Sequence, residues 1–235
     1  MGPGRFGHVL VVDDETVLAG VVASYLDRAG FDTTVTGDGL EAVELARILD
    51  PTVIILDLGL PGLDGVEVCR QIRTFSDCYL IMLTARTDEI DVLIGLSVGA
   101  DDYVTKPFSA RELVARVQVM LRRPRTGAAT SGRPEPVRRF GALEVDASAR
   151  VIRVSGEEVD LTPIEFDLLS VLSSRPRLAV SRRQLLETIW GEAEAGGEHL
   201  VDVHVANLRR KLGDDPVVQK FVVTVRGVGY RMGAG

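Results

Sequence analysis

The 235-residue sequence predicts two joined domains, a doubly wound parallel α/β domain followed by an α+β domain. Three observations support this prediction. In roughly the first 120 residues, five apolar strand-like runs alternate with amphipathic helical runs. The stretch 123–137 is then rich in Arg, Pro and Gly and has no apolar periodicity, which is typical of a linker. After it, short alternating runs precede three helical patterns and a final hairpin pattern. We therefore expect domains at 1–122 and 138–235.

Charge and cysteine content narrow the class of protein. Residues 1–121 hold 9 Lys and Arg against 19 Asp and Glu, whereas residues 122–235 hold 18 against 15. This asymmetry hints that the second half contacts nucleic acid. No segment approaches the ~18 apolar residues of a membrane helix, and the chain start lacks a signal-peptide core, so we expect a soluble, cytoplasmic protein without membrane contact. Cys69 and Cys78 are expected to be buried free thiols, with a redox switch as the alternative.

The elements of the first domain follow from apolar periodicity and from the Gly and Pro residues that end each run. Strands are predicted at 8–12, 31–36, 53–57, 79–83 and 103–105, and helices at 17–29, 40–49, 66–75, 89–98 and 110–121. This alternation predicts a flavodoxin-like sheet with helices on both faces.

The run 53–57 consists of four apolar residues followed by a single carboxylate, Asp57. A structural role for Asp57 is an open alternative on this stretch alone. Right-handed crossovers bring all carboxyl ends of the strands to one edge, where Asp57 would meet Asp13, Asp14, Thr84 and Lys106. Three crowded carboxylates are unfavourable without a cation, and hard oxygen ligands suit Mg²⁺. A metal, an ammonium and a hydroxyl beside a carboxylate suit phosphoryl transfer, with Asp57 as the nucleophile.

These strand-end residues resemble those of the receiver domain of two-component response regulators, and the resemblance spans 8–122. The motifs that carry it are Asp13-Asp14, Asp57, Thr84-Ala85 and Lys106-Pro107. The resemblance implies that Asp57 accepts a phosphoryl group from a sensor histidine kinase.

The resemblance also implies roles around Asp57. Magnesium would be held by Asp13, Asp14, Asp57 and the backbone carbonyl of Gly59. Lys106 would contact the phosphoryl group through its ammonium, and the Lys106-Pro107 bond would be cis. Thr84 and Tyr103 would form a switch pair that responds to the phosphate, with an ordinary surface aromatic as the alternative for Tyr103.

In the second half, residues 138–161 predict three or four short antiparallel strands. Two helix starts then carry capping boxes, Thr162 with Glu165 and Ser181 with Gln184. These helices are expected to end near 174 and near 190–191. A third helix, 199–212, has a buried stripe of Val201, Val205, Leu208 and Leu212. Its opposite face carries His199, Val203, Ala206, Asn207 and Arg210, flanked by Arg209 and Lys211, and is either a solvated face or a DNA-reading one.

The stretch 221–231 predicts a hairpin with Arg226 at its tip, which completes a winged helix-turn-helix. Residues 138–232 resemble the effector domain of OmpR/PhoB-type regulators. The motifs that carry this resemblance are Val201-Asp202-Val203-His204-Val205 and Val225-Arg226-Gly227-Val228-Gly229-Tyr230. It implies that the major groove is faced by Val203, Asn207 and Arg209. His204 and Arg210 would lie near phosphates, and Arg226 would enter the minor groove. His199 departs from the Arg that is frequent in this family.

In this family, phosphorylation pairs two receivers through the last two receiver helices and the strand between them. The matching residues are Leu93, Leu96, Asp101, Asp102, Glu112, Ala115, Arg116 and Arg122. Val92 stands where a basic residue is usual, so Glu112 lacks its expected partner across the interface; an exposed pair contributes only ~0.2–1 kcal/mol, so dimerisation should survive.

The sequence therefore predicts a phosphorylation-dependent transcriptional regulator rather than an enzyme. Its expected partners are a histidine kinase, promoter DNA with tandem half-sites, RNA polymerase and a second copy of the chain. A constitutive DNA-binding protein with a relic receiver is one alternative. The other, an Asp-nucleophile phosphatase, typically needs a second Asp two residues after the nucleophile, where this chain has Gly59.

Overall fold

The structure is a computed structural model that describes residues 6–85, 95–121, 136–191 and 197–235. The chain divides into two compact units, Met1–Arg122 and Arg123–Gly235. Of the predicted linker 123–137, only residues 136 and 137 are described. Among the described residues, no helix combines the length and apolar character needed to cross a membrane.

The first unit is a five-stranded parallel sheet in the order β2-β1-β3-β4-β5. Its strands are β1 (His8–Val12), β2 (Asp32–Thr36), β3 (Val53–Asp57), β4 (Tyr79–Thr84) and β5 (Asp102–Thr105). The helices that lie wholly within its described residues are α1 (Thr16–Arg28), α2 (Gly39–Leu49), α3 (Gly65–Ile72) and α4 (Ala110–Leu121). The doubly wound sheet predicted from the alternating pattern is thus confirmed.

The three central strands are buried along almost their whole length because helices cover both faces of the sheet. This is why their sequences read as continuous apolar runs rather than as alternating ones. At the end of β3 the chain turns tightly into α3. A Cβ on Gly65, the first residue of α3, would lie 2.2 Å from the Asp57 carbonyl oxygen, so only glycine fits.

The predicted boundaries are close to those observed, with two differences. The helix predicted at 66–75 ends at Ile72, and residues 73–75 form a turn. The helix predicted at 89–98 falls largely outside the described residues, and of its described part residues 95–97 are helical.

In the part of the second unit that the structure describes, two antiparallel sheets are joined to three helices. One sheet has the order β6-β7-β8-β9, and the other has the order β10-β12-β11. Its strands are β6 (Arg138–Phe140), β7 (Leu143–Asp146), β8 (Val151–Val154), β9 (Glu157–Glu158), β10 (Val180–Ser181), β11 (Val222–Val225) and β12 (Gly229–Met232). Its helices are α5 (Pro163–Ser174), α6 (Arg182–Ile189) and α7 (His199–Leu212). The α+β arrangement with a terminal hairpin is confirmed.

Both predicted capping boxes are present. The side chain of Thr162 accepts a hydrogen bond from the Glu165 amide while Glu165 accepts one from the Thr162 amide, and Ser181 and Gln184 repeat this exchange. The predicted stripe of α7 is buried. Strand β10 is a feature that the sequence pattern missed, since two residues are too short to show a period. It pairs with β12, and a Cβ on Gly229 would lie 2.2 Å from the Val180 carbonyl oxygen.

Candidate functional site

The carboxyl edge of the parallel sheet gathers the acidic residues that the sequence places after its strands. Asp13 directly follows β1, and Asp57 is the last residue of β3. One carboxylate oxygen from each of Asp13, Asp14 and Asp57 lies within 4.8 Å of the others. Asp13 and Asp57 are buried and Asp14 is exposed, so the cluster is open to solvent on one side. Such a set of hard oxygen atoms fits a divalent cation such as Mg²⁺.

Lys106, which directly follows β5, inserts its ammonium among these carboxylates. Its Nζ lies 2.9 Å from Asp13 Oδ2, 3.3 Å from Asp57 Oδ2 and 3.1 Å from Glu15 Oε1. Burial alone would lower the pKa of Lys106, but hydrogen bonds to Asp13 and Glu15 and the charges of Asp57 and Asp13 outweigh it and raise that pKa. Lys106 is therefore a permanent cation in this site.

Burial raises the pKa of Asp57 above its usual value. The charge of Lys106 acts in the opposite direction, and the charge of Asp13 adds to the effect of burial. The Gly59 amide donates a hydrogen bond to Asp57, so the backbone at Gly59 lies beside the carboxylate. Burial therefore makes the ionised form of Asp57 less favourable, and an added cation would stabilise that form.

Glu15 is the member of this site that the sequence reasoning missed. It follows Asp13-Asp14 in the chain, and its side chain reaches Lys106 although it is largely exposed. Its amide also donates to Asp13 Oδ1 at 2.9 Å, which orients that carboxylate. Its position one residue beyond two singled-out acidic residues was the available signal.

The residues predicted as a switch lie on neighbouring strands. Thr84 ends β4 and is buried, whereas Tyr103 lies in β5 and is half-buried. The Lys106 amide donates to the Thr84 carbonyl oxygen at 2.7 Å, which ties the two strand ends together. The Lys106-Pro107 bond is cis, as the resemblance implies.

The predicted dimer residues fall into three groups. Leu93 and Arg122 lie outside the described residues. Ala115 is half-buried on α4. Glu112 is likewise half-buried on α4, and the remaining residues are interior: Leu96, Asp101, Asp102 and Arg116 are buried.

The interior charges of this set are engaged within their own chain. Asp101 forms an ion pair with Arg73 at 2.6 Å, and Asp102 forms one with Arg116 at 3.0 Å. Arg116 also contacts Glu112 at 3.0 Å. These carboxylates are therefore directed into the unit, and the interface role expected of them stays a prediction.

In the second unit, α7 and the hairpin β11–β12 present the predicted DNA-binding surface. His199, Ala206 and Arg210 are exposed on α7, and Arg226 is exposed in the turn between the two strands. Arg210 donates to Asn207 Oδ1 at 3.1 Å. Exposed basic side chains of this kind are the groups that contact phosphates and base edges in protein–DNA complexes.

Four of the predicted DNA-contacting residues are placed differently from the expectation. His204 is 1% exposed and its ring lies 5.4 Å from that of Trp190, so it belongs to the interior and not to a phosphate-facing surface. Val203 and Asn207 are 9% and 5% exposed, so they too are interior rather than groove-facing. Arg209 is turned towards the hairpin, where it donates to the Val222 carbonyl oxygen at 2.7 Å. The helical wheel misplaced Val203 and Asn207 because α7 packs against both α5 and α6, whereas the DNA contacts expected of His204 and Arg209 came from the family resemblance.

Comparison with known proteins agrees with this arrangement. Residues 9–118 match the family model described as the response regulator receiver domain, and residues 156–232 match the one described as transcriptional regulatory protein, C terminal. The DNA-binding response regulator MtrA of Mycolicibacterium smegmatis is 46% identical over 226 residues, which cover 96% of each chain. The transcriptional regulatory protein CseB of Streptomyces coelicolor is 45% identical over 234 residues, with 97% of this chain and 98% of CseB covered.

Two solved structures are similar over nearly the full length. A mutant of RitR superposes with a TM-score of 0.75 at 27% identity and covers 99% of this chain and 100% of its own. The response regulator DrrB of Thermotoga maritima, described as an OmpR/PhoB homologue, superposes with a TM-score of 0.51 at 31% identity and covers 96% of this chain and 98% of its own.

Proposed function

Because the chain belongs to the OmpR/PhoB-type DNA-binding response regulators, we propose that phosphorylation of Asp57 controls how the second unit binds promoter DNA. The observation that carries this proposal is the meeting of three carboxylates and one ammonium at the carboxyl edge of the parallel sheet. The donor in the cell is a sensor histidine kinase, the partner that this family of regulators implies.

Asp57 is the proposed phosphoryl acceptor. One of its carboxylate oxygens attacks the phosphorus of the phosphohistidine, the phosphorus–nitrogen bond breaks with its electron pair going to the imidazole, and an acyl phosphate remains on Asp57. Lys106 already lies 3.3 Å from this carboxylate and would pair with the transferred group's oxygens. The buried Thr84 hydroxyl at the neighbouring strand end would donate to another oxygen, and Tyr103 would follow its movement.

Asp13, Asp14, Asp57 and the Gly59 carbonyl are the proposed magnesium ligands. The crowding of the three carboxylates and the raised pKa of Asp57, caused first by burial, fit a bound cation. When bound, Mg²⁺ supplies positive charge to the phosphoryl oxygens.

Pairing of two receivers on phosphorylation is proposed to raise the effective concentration of two weakly binding DNA modules at tandem half-sites. On the receiver, Glu112 and Ala115 are the described residues of the predicted interface that are partly open to solvent. On the second unit, Arg210 and Arg226 are the proposed contacts to DNA, since both are exposed. RNA polymerase is a proposed partner of the promoter-bound form.

The test is phosphorylation by a small acyl-phosphate donor with Mg²⁺, followed on a gel that separates phosphoprotein. Asp57→Asn should give no phosphoprotein, because the amide cannot form the acyl phosphate. Asp50→Asn is the matched control, since Asp50 is exposed and lies before β3, at the opposite end of the strand from Asp57. Stable phosphoprotein from the Asp57 variant would contradict the assignment.

The same samples separate the two alternatives. A constitutive DNA-binding protein would bind DNA equally with and without the donor. A phosphatase would turn over a small phosphate ester continuously, and Asp57→Ala would abolish that turnover. Gly59, which cannot act as a general acid, occupies the position two residues after Asp57.

A further inference from the structure

Arg209 lies on α7, but its side chain donates its hydrogen bonds to the hairpin. Its Nε and Nη2 donate to the Val222 carbonyl oxygen at 3.1 and 2.7 Å, and Nη2 also donates to Thr224 Oγ1 at 2.8 Å. Its guanidinium carbon lies 5.7 Å from the centre of the Tyr230 ring. Because Val222 and Thr224 are two residues apart on β11, and Thr224 pairs with Tyr230 on β12, a single guanidinium spans both strands.

A second contact fixes the base of the same hairpin. The carboxylate of Asp214, just beyond the end of α7, accepts hydrogen bonds from the amides of Lys220, Phe221 and Val222 at 2.7, 3.1 and 2.8 Å. Asp214 is buried, so these bonds are shielded from water. The start of β11 is therefore tied to the end of α7 at two points, by the side chain of Arg209 and by the carboxylate of Asp214.

The neighbouring arginines are arranged differently. Arg210, the next residue on α7, is exposed, and so is Arg226 in the turn that follows β11. Arg226 lies two residues beyond Thr224, the residue whose hydroxyl Arg209 holds. Any rotation of β11 about its base would displace Arg226 relative to α7.

We propose, on the basis of the DNA-binding function inferred above, that Arg209 is a positioning residue that sets the place of Arg226 relative to α7 and does not itself contact DNA. Three of the five N–H donors of the guanidinium, those on Nε and Nη2, are directed to the Val222 carbonyl and the Thr224 hydroxyl, so the side chain is held against β11. The guanidinium instead lies over the ring of Tyr230, and this cation–π contact stiffens the hairpin.

The experiment measures binding of the phosphorylated full chain to a DNA duplex selected by the wild-type protein from a random library, over a range of salt concentrations. The variants are Arg209→Ala, Arg209→Lys, Arg226→Ala, Arg210→Ala, and the double variants that combine Arg226→Ala with each of Arg209→Ala and Arg210→Ala. Fluorescence of Trp190, the single tryptophan, monitors the folding of the second unit in every variant.

We expect Arg226→Ala to weaken binding about tenfold and to reduce the slope of log affinity against log salt by about one. Arg209→Ala should weaken binding to a similar extent alone, but by less than about twofold once Arg226→Ala is present. Arg209→Lys should be as weak as Arg209→Ala, because lysine keeps the charge but cannot span two acceptors. Arg210→Ala should weaken binding by the same factor in the wild-type chain and in the Arg226→Ala variant.

Three outcomes would overturn the proposal while leaving the DNA-binding function standing. If Arg209→Ala and Arg226→Ala add fully and the double variant loses about two from the salt slope, Arg209 is itself a phosphate contact. If Arg209→Lys restores wild-type affinity, its charge and not its geometry matters. If the effect of Arg209→Ala persists at full size with Arg226→Ala while the Trp190 unfolding midpoint falls, its role is general stability. If instead the wild type selects no duplex, the proposed DNA-binding function fails, and this inference fails with it.

Discussion

Replacing Asp101 by Asn distinguishes an interior role for this residue from the interface role suggested by the sequence. Asp101 is fully buried, and its Oδ2 lies 2.6 Å from Arg73 Nη2 and accepts a hydrogen bond from the Leu80 amide at 2.8 Å. Asparagine keeps the shape and an acceptor for the Leu80 amide. It removes the negative charge that faces Arg73, whose side chain is only 11% exposed.

The structure allows the size of the effect to be worked out. Removing one charge of a buried pair costs about 3–5 kcal/mol, because the other charge is left uncompensated. Arg73 keeps hydrogen bonds to the carbonyl oxygens of Gly99 and Cys78 at 2.8 and 2.6 Å, so we take the lower end, about 3 kcal/mol. With a urea dependence of about 2 kcal/mol per molar, the unfolding midpoint of the first unit should fall by about 1.5 M. An exposed interface carboxylate would lower it by less than about 0.5 M.

Urea unfolding followed by far-ultraviolet circular dichroism measures this shift. Trp190 lies in the second unit, so its fluorescence transition should not move and serves as an internal control. Glu67→Gln is the matched variant, since Glu67 pairs with Arg70 on the surface of α3 and its loss should leave the midpoint unchanged. An unchanged midpoint in Asp101→Asn, together with lost dimerisation of the phosphorylated chain, would refute the interior role and restore the interface one.

Two further predictions test the interiors of the two units. Burial raises the pKa of Cys69 to about 12, and Cys78 is also buried. Neither thiol should therefore react with a thiol reagent at pH 8 until urea unfolds the first unit. Rapid reaction in the folded protein would show that the fold opens there. In the second unit, Glu144 pairs with Arg139 at 2.9 Å and lies opposite Arg153 across β7 and β8. Glu144→Lys should therefore lower the free energy of unfolding by about 1 kcal/mol, and by less at high salt. An equal effect of Glu144→Gln would show that charge is not the cause.

The fold and the acidic site could be predicted because both depend on local signals. The strands of the first unit are continuous apolar runs, and each ends at the residue that the parallel topology brings to the common edge. Asp13, Asp57 and Lys106 meet there without any further condition on their side chains. The capping boxes are equally local, since each involves two residues three positions apart.

The positions of the charged interior residues could not be predicted in this way. Asp101 and its partner Arg73 are 28 residues apart, and nothing in either local sequence states that α3 and the start of β5 approach each other there. A buried ion pair looks, in sequence, the same as two solvated charges. Only the tertiary arrangement decides which of the two is present.

The same reasoning explains why the hairpin matters so much for the proposed DNA recognition. A helical wheel assumes one buried side, but α7 packs against α5 and α6 together, and its buried arc takes in Val203 and Asn207. The exposed positions that remain, His199, Ala206 and Arg210, include an alanine that offers no hydrogen bond to a base edge. A helix with so few polar groups available can supply only part of the base discrimination. Under the proposed function the remainder would fall to the hairpin, which requires Arg226 to be held in a defined place, and the contacts of Arg209 suit that role.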